Sequence, residues 1–131
     1  MSARIIVAAD APMVVGILGH KLRREGHQVT CARGAAELRR ALDAGPYDCG
    51  VCETALLDEI RRRIPSPDGD DRRSVAPQPL RSWLAIVDGR DEAAAMRAMR
   101  EGAAGIVRTP FKPTAVAAQV AALLAIVGVE A

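Results

Sequence analysis

The chain has 131 residues, enough for one compact domain, and half of them are hydrophobic. Alanine supplies 25 of its residues and aromatics only three (Tyr47, Trp83 and Phe111), which argues against a base-stacking platform or a large aromatic-lined pocket. Eighteen basic residues against sixteen acidic ones leave a formal net charge of +2, too balanced for a protein dedicated to clamping a nucleic-acid backbone.

Residues 4–9, Arg-Ile-Ile-Val-Ala-Ala, form a short continuous apolar run, the pattern of a strand buried on both faces. Pro12 then opens a helix over 12–25, because the missing proline N–H would be unpaired there in any case. Val14, Leu18 and Leu22 recur at four-residue spacing on it, and Gly26 closes it. The alternation repeats: a strand over 28–32, then a helix over 35–44 that buries Leu38, Ala41 and Leu42. After the Gly45-Pro46 turn comes a strand over 48–52 and a helix over 55–64 with Leu56, Leu57, Ile60 and Ile64 inward. A fourth strand is predicted over 82–87. A helix over 91–101 follows, N-capped by Asp91, with Met96 and Met99 inward. Residues 105–108 make a short fifth strand and 113–127 the last helix. Between the third helix and fourth strand, residues 65–79 hold Pro65, Pro67, Pro77 and Pro79 around a charged cluster, which reads as a long exposed loop. Five strands alternating with five helices predict an α/β fold: one domain over 1–131, a (βα)5 doubly wound parallel sheet.

Three cysteines, Cys31, Cys49 and Cys52, are odd in number and make no disulfide framework. The apolar run 4–9 is too short for a signal-peptide core, and Asp10 ends it. The apolar segment 115–129 is broken by Gln119 and falls short of the ~20 residues that a membrane span needs. A cytoplasmic protein with no membrane contact is expected.

In open parallel sheets, ligands sit outside the carboxyl ends of the strands. The residues leaving those ends are Asp10, Glu53, Asp88 and Thr109. Three carboxylates converging on one rim would bind a hard cation or hold a raised pKa. Asp10 and Asp88 each also precede a turn and a helix, where aspartate commonly caps free N–H groups.

Three segments carry a resemblance over essentially the full length: Arg4-Ile5-Ile6-Val7-Ala8-Ala9-Asp10-Ala11-Pro12, Tyr47-Asp48-Cys49-Gly50-Val51-Cys52-Glu53, and Gly102-Ala103-Ala104-Gly105-Ile106-Val107-Arg108-Thr109-Pro110-Phe111. By their order and spacing the chain resembles a CheY-like receiver domain of bacterial response regulators. That resemblance implies a flavodoxin-like sheet of strand order 2-1-3-4-5. It also implies a place in a two-component phosphorelay, with a histidine kinase or an output protein as partner. The departures are informative. The first of the family's two magnesium-holding acids falls on Ala9, and only Asp10 remains. The phosphoacceptor aspartate falls on Glu53, the switching hydroxyl on Asp88, the phosphoryl-pairing lysine on Thr109 ahead of Pro110, and the aromatic switch position on Ile106. Lys112 and Arg108 are not expected to replace that lysine: one lies beyond the proline, and the other points to the opposite sheet face.

Phosphoryl transfer needs positive charge around the equatorial oxygens. This chain removes a metal ligand and the lysine, and Asp88 adds a negative charge where a hydroxyl is expected. A degenerate, or pseudo-receiver, module follows, with no catalytic residue and no required cofactor. At most a weak Mg2+ site is expected, from Asp10, Glu53 and a carbonyl near Ala55. Two other readings stay open: a sensor in which a nucleotide or metal replaces phosphorylation, and a phosphoacceptor with an atypical acid.

Cys49-Gly50-Val51-Cys52 matches C-x-x-C, but residues three apart on a strand point to opposite faces, so two buried structural thiols are expected. His20 and His27 are expected to be solvated. Arg61-Arg62-Arg63 and Arg72-Arg73 are interleaved with acids and read as a solvated surface. As an anion site they would suit a cyclic dinucleotide, whereas nucleic acid is not expected. The last helix has Gln119 as its only polar residue between 115 and 127, more apolar surface than one stripe requires. In receivers the fourth helix, fifth strand and fifth helix commonly form the output or dimer face. A contact, including a homodimer, is therefore expected through Val116, Val120, Leu123 and Ile126, with Ala117, Ala121 and Ala125 on the outer side.

Overall fold

The computed structural model describes residues 3–63 and 80–126, the side chains of Arg62 and Arg63 excepted. The proline-rich stretch 65–79 lies outside the described residues, as do Ile64, Val127 and the Arg72-Arg73 pair.

Five strands alternate with helices: β1 (Arg4–Ala9), α1 (Pro12–Arg24), β2 (Gln28–Arg33), α2 (Gly34–Asp43), β3 (Cys49–Glu53), α3 (Leu57–Arg63), β4 (Trp83–Asp88), α4 (Glu92–Arg100), β5 (Gly105–Thr109) and α5 (Pro113–Ile126). A 3-10 turn, Thr54–Leu56, precedes α3 and takes the first residues of the predicted third helix. The strands form one sheet in the order β2-β1-β3-β4-β5, every pairing parallel. This is the predicted doubly wound arrangement.

The side-chain alternation of the strands divides the core into two layers. Ile5, Val7, Cys49, Val51, Leu84, Ile86 and Val107 face Leu18 and Leu22 of α1 and Val116, Val120, Leu123 and Leu124 of α5. Ile6, Ala8, Cys52, Ala85 and Val87 face Leu38 and Leu42 of α2, Leu57 and Ile60 of α3, and Ala95 and Ala98 of α4. Glu59 is the one buried charged side chain among the described residues. It lies between α2 and α3, where Arg39 grips it through two bonds, Nη2 to Oε1 at 3.0 Å and Nε to Oε2 at 3.3 Å.

Four placements differ from the sequence reading. On α4, Met96 and Met99 are exposed, and the small Ala95 and Ala98 face the sheet instead. Asp91 caps the helix, its Oδ1 accepting the Ala94 N–H at 2.9 Å, and the helix lies on the sheet by its alanine edge, where small side chains permit close approach. On α5, Val116, Val120 and Leu123 are buried against the chain's own sheet, so they are not open to a partner, while Ile126 is 81% exposed. Ala117 is buried as well, leaving Ala121 and Ala125 on the outer side. Ala41 is half-buried, because it sits at the edge of the stripe that Leu38 and Leu42 define. Finally, His27 is not simply solvated. It is half-buried, and its Nδ1 accepts the Ala3 N–H at 3.3 Å, joining the chain before β1 to the start of β2.

Gly19 shows how closely α1 approaches β2. A Cβ there would lie 2.7 Å from Cys31 Sγ. The Gly19→Ala substitution is expected to lower stability by about 1–2 kcal/mol in urea denaturation, because the thiol must move in a packed site. Adding Cys31→Ala in the same chain should recover most of that loss, since alanine is the better helix former by about 1 kcal/mol. If the pair is no more stable than Gly19→Ala alone, the α1–β2 contact is not the cause.

Burial holds the His27 imidazole below its ordinary value of 6.5, with Glu25 opposing. An accepting Nδ1 also requires that nitrogen to be unprotonated. The unfolded chain therefore takes up a proton near 6.5 that the native state resists, and stability should fall as pH drops through that value toward the lowered native one. Denaturation across this window should show a shallower pH slope for His27→Asn than for the unaltered chain.

Candidate functional site

Because all five strands run the same way, their carboxyl ends share one rim of the sheet. There the structure places Ala9 at the end of β1 with Asp10 after it, Glu53 at the end of β3, Asp88 at the end of β4, and Thr109 at the end of β5 with Pro110 after it. Ala9 is fully buried, Asp10 and Asp88 are exposed, and Glu53 and Thr109 are half-buried. Pro110 follows a cis peptide bond.

The acids do not gather into one cluster. Among the described residues, no three His, Cys, Asp or Glu side chains are placed to hold a metal ion. Glu53 and Asp88 each accept a main-chain N–H. Glu53 Oε1 accepts the Asp10 N–H at 3.0 Å, which ties the end of β3 to the loop after β1. Asp88 Oδ1 accepts the Arg90 N–H at 2.8 Å, two residues on, and so closes its own turn ahead of α4. Asp10 does not cap α1, whose N-cap is Ala11 with no side-chain hydrogen bond. A main-chain N–H occupies one of the two Glu53 carboxylate oxygens, and Ala9, beside Asp10, has no side-chain oxygen to add to a magnesium site.

The loop after β4 is fastened to β5. The Gly89 N–H donates to the Thr109 carbonyl at 3.1 Å, and a Cβ on Gly89 would lie 2.5 Å from that oxygen. Arg108 Nη1 pairs with Glu92 Oε1, at the start of α4, at 2.8 Å. Lys112 lies just ahead of α5, where its carbonyl accepts the Val116 N–H.

Beside the rim, α4 and β5 enclose a shallow groove of about 350 Å3. Ala95, Met96, Met99 and Ile106 line it, with Glu92, Arg100 and Arg108 at its edge. Gln119 of α5 donates through Nε2 to the Ile106 carbonyl at 3.0 Å, coupling the last helix to this wall. The C-x-x-C thiols are both fully buried and on opposite faces, Cys49 toward α1 and α5, Cys52 toward α2 and α4. Burial, with Asp48 adding to it, pushes the Cys49 thiol up to about 12. Burial raises Cys52 as well. Neither is a nucleophile near neutral pH.

Sequence reasoning found the rim residues by their position at strand ends. It missed the Asp10 amide, which no side-chain pattern reveals. It also missed the need for Gly89, although Asp88-Gly89 is a recognisable turn signal. The methionine groove was missed because large apolar residues were assigned to the core.

No protein-family model matches this chain, and no curated protein matches it. Solved structures do. NtrX from Brucella abortus in complex with ADP is 23% identical at a TM-score of 0.76 and covers 97% of this chain. The match takes in 27% of the NtrX chain, so this chain spans about a quarter of that length. The signal receiver domain of a response regulator from Bermanella marisrubri is 22% identical at a TM-score of 0.75, covering 95% of this chain and 99% of its own. The chemotaxis response regulator CheY4 of Vibrio cholerae is 14% identical at a TM-score of 0.77, covering 95% of this chain and all of its own. The chain has the CheY-like fold of response-regulator receiver domains. No helix among the described residues is long and apolar enough to cross a membrane.

Gly89→Ala is expected to cost about 1–3 kcal/mol of stability, since the clash is with main chain that cannot rotate away. Thermal or urea denaturation reads the loss. A neutral effect would show that the loop after β4 is not held to Thr109 in solution.

Proposed function

We propose that this chain is a receiver-like signalling module that works through protein contact and carries no phosphoryl group at Glu53. The observation that carries this reading is the state of Glu53: its carboxylate oxygen is engaged by the Asp10 N–H, next to Ala9 in place of an acid. Asp88 stands where the resemblance places a hydroxyl and Thr109 where it places a lysine, so a phosphoryl group would meet a negative charge at the first position and no positive charge at the second. On this reading the module catalyses no reaction, needs no cofactor and acts in the cytoplasm. Its partner is a histidine kinase or an output protein of a two-component phosphorelay, with a second copy of the chain as a further occupant of the same face.

The contact face proposed here is the α4–β5 groove and the outer side of α5. Met96, Met99 and Ile126 are 60%, 48% and 81% exposed, so their apolar surface is available, as that of Val116, Val120 and Leu123 is not. Intact mass after incubation with acetyl phosphate and magnesium tests the first half of the reading. No phosphoryl adduct is expected, and an adduct mapped to Glu53 would overturn it. Sedimentation equilibrium tests the second half. Met99→Glu and Ile126→Glu should each weaken self-association while shifting stability by no more than about 0.5 kcal/mol, since both side chains are at the surface. Unchanged association in both variants would remove this face from the reading.

A further inference from the structure

An acid at the end of a parallel strand can bind a cation, find donors within the fold or stay hydrated, and Glu53, half-buried, finds a donor. Here the donor is main chain. Asp10 precedes α1, a helix whose N-cap, Ala11, supplies no side-chain bond and whose first residue, Pro12, has no N–H to give. The Asp10 N–H is met from the adjacent strand β3 by Glu53 Oε1 at 3.0 Å, which also brings a negative charge to the N-terminal side of α1. The length of the side chain matters. Aspartate at this position would withdraw its oxygens by one methylene, away from that N–H.

On the other side of the rim, the Gly89 N–H is bonded to the Thr109 carbonyl at 3.1 Å. Asp88 Oδ1 is committed to the Arg90 N–H at 2.8 Å. Both loops that border the site are thus held by bonds internal to the chain.

We propose that Glu53 is a positioning residue, an internal latch that ties the β1–α1 loop to the end of β3 and makes the rim insensitive to divalent cations. The latch deepens the proposed function and rests on it in one respect, that Glu53 is not consumed by phosphoryl transfer. With the Gly89–Thr109 bond as its counterpart, it keeps the rim in one arrangement, and the module presents one contact face.

The test uses the full chain labelled with 15N. Amide exchange and the proton shift of Asp10 are followed in the unaltered chain and in Glu53→Gln, Glu53→Asp and Glu53→Ala. The Asp10 amide should exchange about tenfold faster in Glu53→Asp and Glu53→Ala, the loss expected for one charge-assisted hydrogen bond. Glu53→Gln keeps an oxygen at the same reach without the charge and should fall between these and the unaltered chain. If Glu53→Ala does not fold, the order of the Gln and Asp variants decides the matter. Millimolar magnesium chloride should leave the Asp10, Glu53 and Gly89 resonances of the unaltered chain in place. An Asp10 amide indifferent to all three substitutions, or a magnesium-dependent shift at Asp10 and Glu53, would overturn the latch. A phosphoryl adduct at Glu53 would overturn the proposed function instead. The two failures are separable, because the exchange measurement needs no phosphodonor.

Discussion

Ile5, Ile6, Val7, Ala8 and Ala9 have no accessible surface at all, and the burial of this strand on both faces is the constraint on which the rest of the structure depends. A strand with no polar face cannot lie at the surface of a sheet, so helices must cover it on both sides. Such coverage by a continuous chain is met by parallel strands joined through helices, and β1 then takes a position between β2 and β3. Parallel strands deliver all their carboxyl ends to one rim. The placement of Asp10, Glu53, Asp88 and Thr109 together is therefore a consequence of burying β1.

At that rim two of the acids are met by main chain. The Asp10 amide meets Glu53, the Arg90 amide meets Asp88, and Arg108, one residue before Thr109, is drawn to Glu92 on the far side of β5. A carboxylate hydrogen-bonded to main chain is stabilised as an anion without a cation partner. Ala9, beside Asp10, adds no side-chain oxygen to those of the neighbouring acids.

The opposite economy of size governs the surface. α4 lies on the sheet through Ala95 and Ala98, which lets it approach closely but leaves Met96 and Met99 outside, beside Ile106. α5 has more apolar surface than one face of the sheet can cover. Its larger residues and Ala117 go inward, and its other alanines, with Ile126, outward. The apolar surface left in solvent is thus a by-product of how tightly the interior is packed.

By itself the sequence determined the element order, the parallel doubly wound class and the strand-end positions of the rim residues. These follow from hydrophobic period and from Pro and Gly punctuation, which are local properties of the chain. It also determined that Cys49 and Cys52 lie on opposite faces, because a strand alternates with a period of two. Only the tertiary structure decided the rotation of α4, the half-buried state of His27, the tie between Glu53 and the Asp10 amide, and the requirement for glycine at 89. Each depends on the distance between elements far apart in the chain: 43 residues separate Glu53 from Asp10, and 20 separate Gly89 from Thr109. Main-chain donors and ångström-scale approaches leave no mark in a pattern of side-chain types, and they exist only once the sheet has brought those segments together.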